Sequence, residues 1–171
     1  MQATDVLGDA FGRVREGVRT IAEGLDAEAL AWRPAPSANP VGWLLWHLTR
    51  VQDDHVSAVM GELQRWTDQG WFDRFGLALD PRDIGYGHTT EQVARVRIGD
   101  PWLLVGYHEA VADRTLGFLA SLEPDDLDRV VDESWDPPVT LGVRLTSVVD
   151  DCLQHVGQAA YVRGLIADRG S

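Results

Sequence analysis

Asp151 and His155 stand four apart in the C-terminal part of the chain. On a helix that spacing puts a carboxylate and an imidazole on one side, about 40° apart around the axis. Both groups are metal ligands. One more ligand from a second helix would give a three-ligand site with open positions for water or substrate. Five His are present. His47, in Asn39-Pro40-Val41-Gly42-Trp43-Leu44-Leu45-Trp46-His47-Leu48, lies at the border of an apolar stripe, and His55 lies nearer the centre of the same stripe. His108 is similarly placed on a later helix, and His88 falls in a loop and reads as surface. Spacing alone leaves His47, His55 and His108 level as the third ligand. The plainer alternative is that Asp151 and His155 form an i,i+4 pair at the rim of a helical core, a common arrangement on helices.

Other chemistries find little support. The paired Glu-x-x-His motifs of carboxylate-bridged di-iron bundles are absent, as are Gly-x-Ser-x-Gly, His-Glu-x-x-His, a phosphate-binding Gly loop and paired Cys. All 15 basic residues are Arg, which excludes lysine nucleophiles and Schiff bases. The single Cys, Cys152, excludes an internal disulfide. It sits in an apolar stripe beside Asp151, a setting that raises a thiol pKa and suits a small buried hydrophobe. Asp54 and Asp150 could each serve as the general base of a metal-dependent hydrolase, although both read more simply as solvated charges. A net charge of −12 argues against nucleic acid or an anionic lipid surface as partner. No apolar run approaches the roughly 18 residues of a membrane span. Met1-Gln2-Ala3-Thr4-Asp5 lacks the pattern of a secretory signal, so the expected location is cytoplasmic.

The elements that must position these residues follow from periodicity. With 171 residues, 44% of them hydrophobic and 25% charged, the chain suits one globular domain over residues 1–171. Apolar residues recur at helical spacing over about Thr4–Leu25, Pro40–Met60, Pro101–Leu122 and Leu141–Asp168. Asn39-Pro40 predicts a capped start for the second of these, and Asp100-Pro101 a start for the third. Gly170 is expected just past the end of the fourth. Short helical turns are expected at Ala27–Leu30 and after Thr89, and a short extended piece at Arg129–Val131. Residues 61–89 form an excursion longer than ordinary loops, rich in aromatic residues that need burial, with a pocket mouth as one place for them. Four long helices without alternating strands predict an all-α four-helix bundle.

The residues 39–55 and 141–164, with His47 in the first and the acid-x3-His pair in the second, resemble the DinB/YfiT-like superfamily of small metal-binding four-helix bundles. The resemblance is to the branch of mycothiol-dependent S-transferases and mycothiol-dependent maleylpyruvate isomerase. It implies that His47, Asp151 and His155 hold one divalent metal, zinc or nickel, although Asp151 stands where the superfamily often has His. It also implies a role in detoxification: mycothiol, a low-molecular-weight thiol, is activated to attack a small electrophile. Arg50 and Gln158 are candidates for cofactor binding, with Asn39 and Trp43 near the mouth, and Gln158 one turn from His155 also suits a supporting role. A homodimer is compatible with the family. The competing readings are a stress-associated bundle with a structural or vestigial site, and a metal-dependent hydrolase.

Overall fold

The computed structural model describes residues 1–169. Four helices of 20 residues or more dominate them: α1 Ala3–Ala22, α3 Val41–Met60, α7 Pro101–Ser121 and α8 Leu141–Arg169. Shorter helices α2 Ala27–Ala31, α4 Arg65–Asp68, α5 Trp71–Phe75 and α6 Thr90–Val93 lie in the connections. A 3-10 turn, Pro124–Asp128, precedes a small antiparallel hairpin of β1 Val130–Asp132 and β2 Val139–Thr140 that leads directly into α8. α1 and α3 each pack on both α7 and α8, so the order around the bundle is α1–α7–α3–α8. This is the four-helix bundle of DinB-like type that the periodicity and the resemblance predict.

Local chemistry sets the helix ends. The Asp100 carboxylate accepts from the Trp102 amide and Pro101 opens α7, as expected of that pair. Thr89 and Gln92 form a reciprocal capping box on α6. α3 starts differently from the expectation. Pro40 is extended and lies outside the helix, and no side chain caps the first turn. Asn39 then stands one residue too far out to reach the first free amides. Gly170, expected as the stop after α8, lies outside the described residues.

One continuous apolar core fills the bundle, with Phe11, Val14, Leu44, Leu45, Leu48, Leu104, Leu141, Leu145 and Cys152 buried. Each such large side chain contributes about 1.5–3 kcal/mol by leaving water. Much of the 61–89 excursion joins this core rather than a pocket mouth: Trp66, Trp71, Phe75 and Leu77 are buried. Trp71 reaches α7 because position 106 is Gly; a Cβ there would stand 2.9 Å from the Trp71 ring.

The charged groups buried in this core are paired. Asp53 accepts from the amides of Arg65 and Trp66 at 2.9 and 2.8 Å and from the Tyr107 hydroxyl at 2.8 Å. Arg50 lies 3.8 Å from the same carboxylate. It donates to Gln64, to Tyr107 and to the carbonyls of Pro81 and Asp83. On α7, His108 is 1% exposed and donates from Nδ1 to Thr49, whose own hydroxyl donates to Leu45, while Nε2 of His108 has no partner. Burial therefore pushes its pKa from 6.5 down to about 3.

Two outcomes follow. Asp53→Ala leaves two amides and the Tyr107 hydroxyl without their acceptor and the buried Arg50 without its counter-charge, and is expected to lower unfolding free energy by about 3 kcal/mol, read from the urea midpoint. Below pH 6.5 the unfolded chain takes up a proton on His108 that the native chain refuses until about pH 3. Stability therefore falls as pH drops through that window, by about 1.4 kcal/mol per unit from this residue. Unfolding free energy measured against pH in the His108→Leu variant should lack that part of the slope.

Candidate metal centre

α3 and α8 run antiparallel, because His47 faces Asp151 and His155 while His55 pairs with Arg144. His47, Val51 and His55 are four apart on α3, and Arg144, Val148 and Asp151 recur at four and three on α8. Each set makes one stripe, and the two stripes face each other across a cleft of ≈ 320 Å³. Ile84 and Tyr86 from the 61–89 excursion, and Trp135 and Val139 from the hairpin region, also line it.

At one end of the cleft, nitrogen or oxygen atoms of His47, Asp151 and His155 all lie within 4.8 Å of one another. His47 is thus the histidine brought to the helix-eight pair. His55 sits at the other end of the cleft and accepts from Arg144, and His108 is in the core behind.

Both imidazoles are held in the tautomer a metal needs. His47 Nδ1 donates to the carbonyl of Ile84 at 2.5 Å, and His155 Nδ1 donates to Gln158 Oε1 at 2.8 Å. A carbonyl only accepts, so Nδ1 carries the proton in each ring and Nε2 keeps its lone pair for the site. Burial pushes the His47 pKa down, with the nearby His155 adding to the effect, so its ring stays neutral to lower pH than usual. Oδ1 of Asp151 is 3.7 Å from His155 Nε2. Oδ2 of Asp151 is shielded from solvent and has no hydrogen-bond partner. A shielded carboxylate oxygen without a donor, beside two imidazole lone pairs, is a donor set that fits a divalent cation such as zinc or nickel.

Of the residues behind His47, the sequence offers Trp43 only as a residue near the mouth and gives no role to His88 or Gly85. Trp43 stacks on the His47 ring at 4.5 Å between centroids and meets His155 edge-on at 6.1 Å. Its indole N–H donates to His88 Nδ1 at 3.2 Å, and His88 Nε2 donates to the Asp83 carboxylate at 2.9 Å. His88 is therefore no surface residue; its side chain is 3% exposed. Gly85 closes this clamp. Its φ is +89°, and a Cβ there would fall 2.8 Å from His47 Nδ1 and 2.9 Å from the Trp46 ring. The two glycines of Asp83-Ile84-Gly85-Tyr86-Gly87-His88 signal a tight turn, but no sequence feature says what the turn presses on.

Of the two candidates for cofactor binding, Gln158 lies beside the triad and fixes His155. Arg50 does not line the cleft. It is fully buried, and its donors hold Gln64, Tyr107 and the 81–83 backbone. The reason is periodicity: three residues after His47, Arg50 lies on the side of α3 that faces the 61–89 excursion. Cys152 is buried, with its thiol pushed well up by burial and by Asp151, and stands 3.6 Å from the Leu48 carbonyl.

Gly85→Ala is expected to force the 83–86 turn off His47 and free its imidazole to rotate. Zinc affinity, measured by competition with a chromogenic chelator, should fall by an order of magnitude or more. Gln158→Leu should lower it by about tenfold, since the proton on His155 Nδ1 loses its acceptor.

Comparison with known proteins agrees with this geometry. A family model described as Mycothiol-S-transferase matches residues 6–168. No curated protein matches the chain. Among solved structures, the crystal structure of a conserved protein from Enterococcus faecalis superposes with a TM-score of 0.91 at 32% identity, covering 98% of this chain and 99% of that one. With nearly its whole length matched by that model, the chain belongs to the mycothiol-S-transferase family.

Proposed function

We propose that this chain is a divalent-metal-dependent thiol S-transferase that joins mycothiol to a small electrophile, with residues 1–171 working as one domain in a detoxification role. The observation that carries the reading is the convergence of His47, Asp151 and His155, with Asp151 Oδ2 shielded and unpartnered, at the closed end of a cleft in a member of the mycothiol-S-transferase family. The three side chains would hold the cation from one side and leave its other side to the cleft. A cation bound there supplies the positive charge that keeps a thiol deprotonated near neutral pH.

The protein's own residues do the rest. Ile84 and Gln158 keep both ring protons on Nδ1, which leaves each Nε2 lone pair free to hold the cation. The stacked indole of Trp43 holds the His47 ring plane and keeps water from its back. Val51, Val139, Val143 and Val148 give the cleft apolar walls against which an electrophile can lie. Asp151 would offset part of the charge of a bound cation. The thiol proton leaves to solvent as the thiolate forms; the S–C bond then forms either as a leaving group departs, chloride in the case of a chlorobimane, or as the neighbouring substrate carbon takes up a proton from solvent.

Among the described residues no helix is long and apolar enough to cross a membrane. The test is direct. Protein purified without chelator should carry one divalent ion per chain by elemental analysis and transfer mycothiol to monochlorobimane. His47→Ala should lose the ion and lower transfer by at least about a hundredfold. Transfer that survives complete removal of the ion would overturn the reading.

A further inference from the structure

The cleft has a second polar end. Arg144 lies seven residues before Asp151 on the same stripe of α8, and His55 eight residues after His47 on α3. The Arg144–His55 pair therefore stands on the order of 10 Å along the helix axes from the triad. Arg144 donates from one terminal nitrogen to His55 Nδ1 at 3.1 Å and from the other to Asp132 at 2.8 Å. Two of its five N–H groups are thereby used, and its side chain is 22% exposed. Accepting at Nδ1 fixes His55 as a donor at Nε2, which has no partner among the described residues. Arg144 is the one cationic side chain among the described residues lining the cleft, and Asp151 the one carboxylate. Asp132, the charge partner of Arg144, lines a neighbouring pocket on the far side of the guanidinium. In a chain of net charge −12, the unspent N–H groups of Arg144 and His55 at this end suit an acceptor. The span between the two ends is mostly apolar, formed by Val51, Val143 and Val148, with Ser147 there donating its hydroxyl to the Val143 carbonyl.

We propose that Arg144, with His55 beside it, recognises a carboxylate on the small electrophilic substrate, whose reactive carbon then lies at the His47–Asp151–His155 end. The substrate class is a flat or apolar molecule with an electrophilic carbon at one end and a carboxylate at the other. A guanidinium with three of its five N–H groups unspent suits a carboxylate over a neutral acceptor, because charge-assisted bonds are about twice as strong. The identity of the reaction rests on the thiol-transfer reading above, but the anion site does not.

The probes are para-carboxybenzylideneacetone and its para-carboxamide. Mycothiol adds to either: the S–H bond breaks, an S–C bond forms at the β-carbon and the proton ends on the α-carbon, so no oxidant or reductant is consumed. Each kcat/KM is divided by the uncatalysed rate. The native zinc-loaded protein should favour the carboxylate, and Arg144→Gln should reduce that preference by about tenfold, with Arg144→Lys recovering part of it. Binding of inert phenylpropionate, compared with phenylpropionamide by calorimetry, should show the same loss and should weaken with added salt. Should Arg144→Gln fail to fold, Asp132→Asn supplies the opposite sign: with its charge partner neutralised, Arg144 should hold phenylpropionate more tightly. The proposal is overturned by a preference that Arg144→Gln leaves unchanged. It is equally overturned by phenylpropionate binding that His47→Ala abolishes and Arg144→Gln does not touch, which would put the carboxylate on the metal. No transfer to either enone, with phenylpropionate binding still dependent on Arg144, would count against thiol transfer and in favour of the anion site.

Discussion

The buried pair Arg50–Asp53 fixes what the site needs. Both residues lie on α3, Arg50 about one turn and Asp53 nearly two turns beyond His47, and both are shut off from water. Asp53 takes the amides of Arg65 and Trp66, and Arg50 takes the carbonyls of Pro81 and Asp83. The near and far ends of the long 61–89 excursion are thus tied to the same turn of the same helix. Charge-assisted bonds to backbone cannot slide as apolar contacts can, so the excursion has one register. That register puts the Ile84 carbonyl on His47 Nδ1 and Gly85 against the ring.

The triad is correspondingly pre-organised. His47 is gripped from one side by Trp43 and from the other by the 83–85 turn, while His155 is held by Gln158. None of these partners needs to move for a cation to enter. Beside the two free Nε2 lone pairs, Asp151 Oδ2 is a shielded acceptor that no donor reaches. A shielded carboxylate oxygen without a donor raises the free energy of the empty site and increases the gain when a cation arrives.

The cleft couples this centre to the other end of the α3–α8 seam. Helical repeats of three and four place His47, Val51 and His55 in one row and Asp151, Val148 and Arg144 in the facing row, so polar ends and an apolar middle follow from the antiparallel packing of two helices. The hairpin contributes through Asp132, which holds Arg144, and through the 133–138 connection, which brings Trp135 over the opening. The candidate metal centre and the proposed anion site are thereby carried by helices, while the loops line the cleft and clamp His47.

By itself the sequence determined the four helices and their inward faces, because a repeat of 3.6 residues is a local property written in every turn. It also determined that Asp151 and His155 share a side of α8, for the same reason. It could not choose among His47, His55 and His108, since all three lie on inward or bordering positions; resemblance favoured His47, and only the packing of α3 against α8 shows which imidazole meets the pair. His88 read as surface because a loop position carries no periodicity, yet the turn folds it under Trp43. Arg50 read as a mouth residue because its side of α3 is ordinarily wet, and the excursion covers it. Asn39 read as a cap, and the extended Pro40 moved the helix start by one residue. Helix periodicity is encoded within a few residues of each position. The contacts between elements that build the site join residues far apart in the chain, 37 positions for the Ile84 carbonyl on His47 and 108 for His155 beside it, and tertiary packing alone decides them.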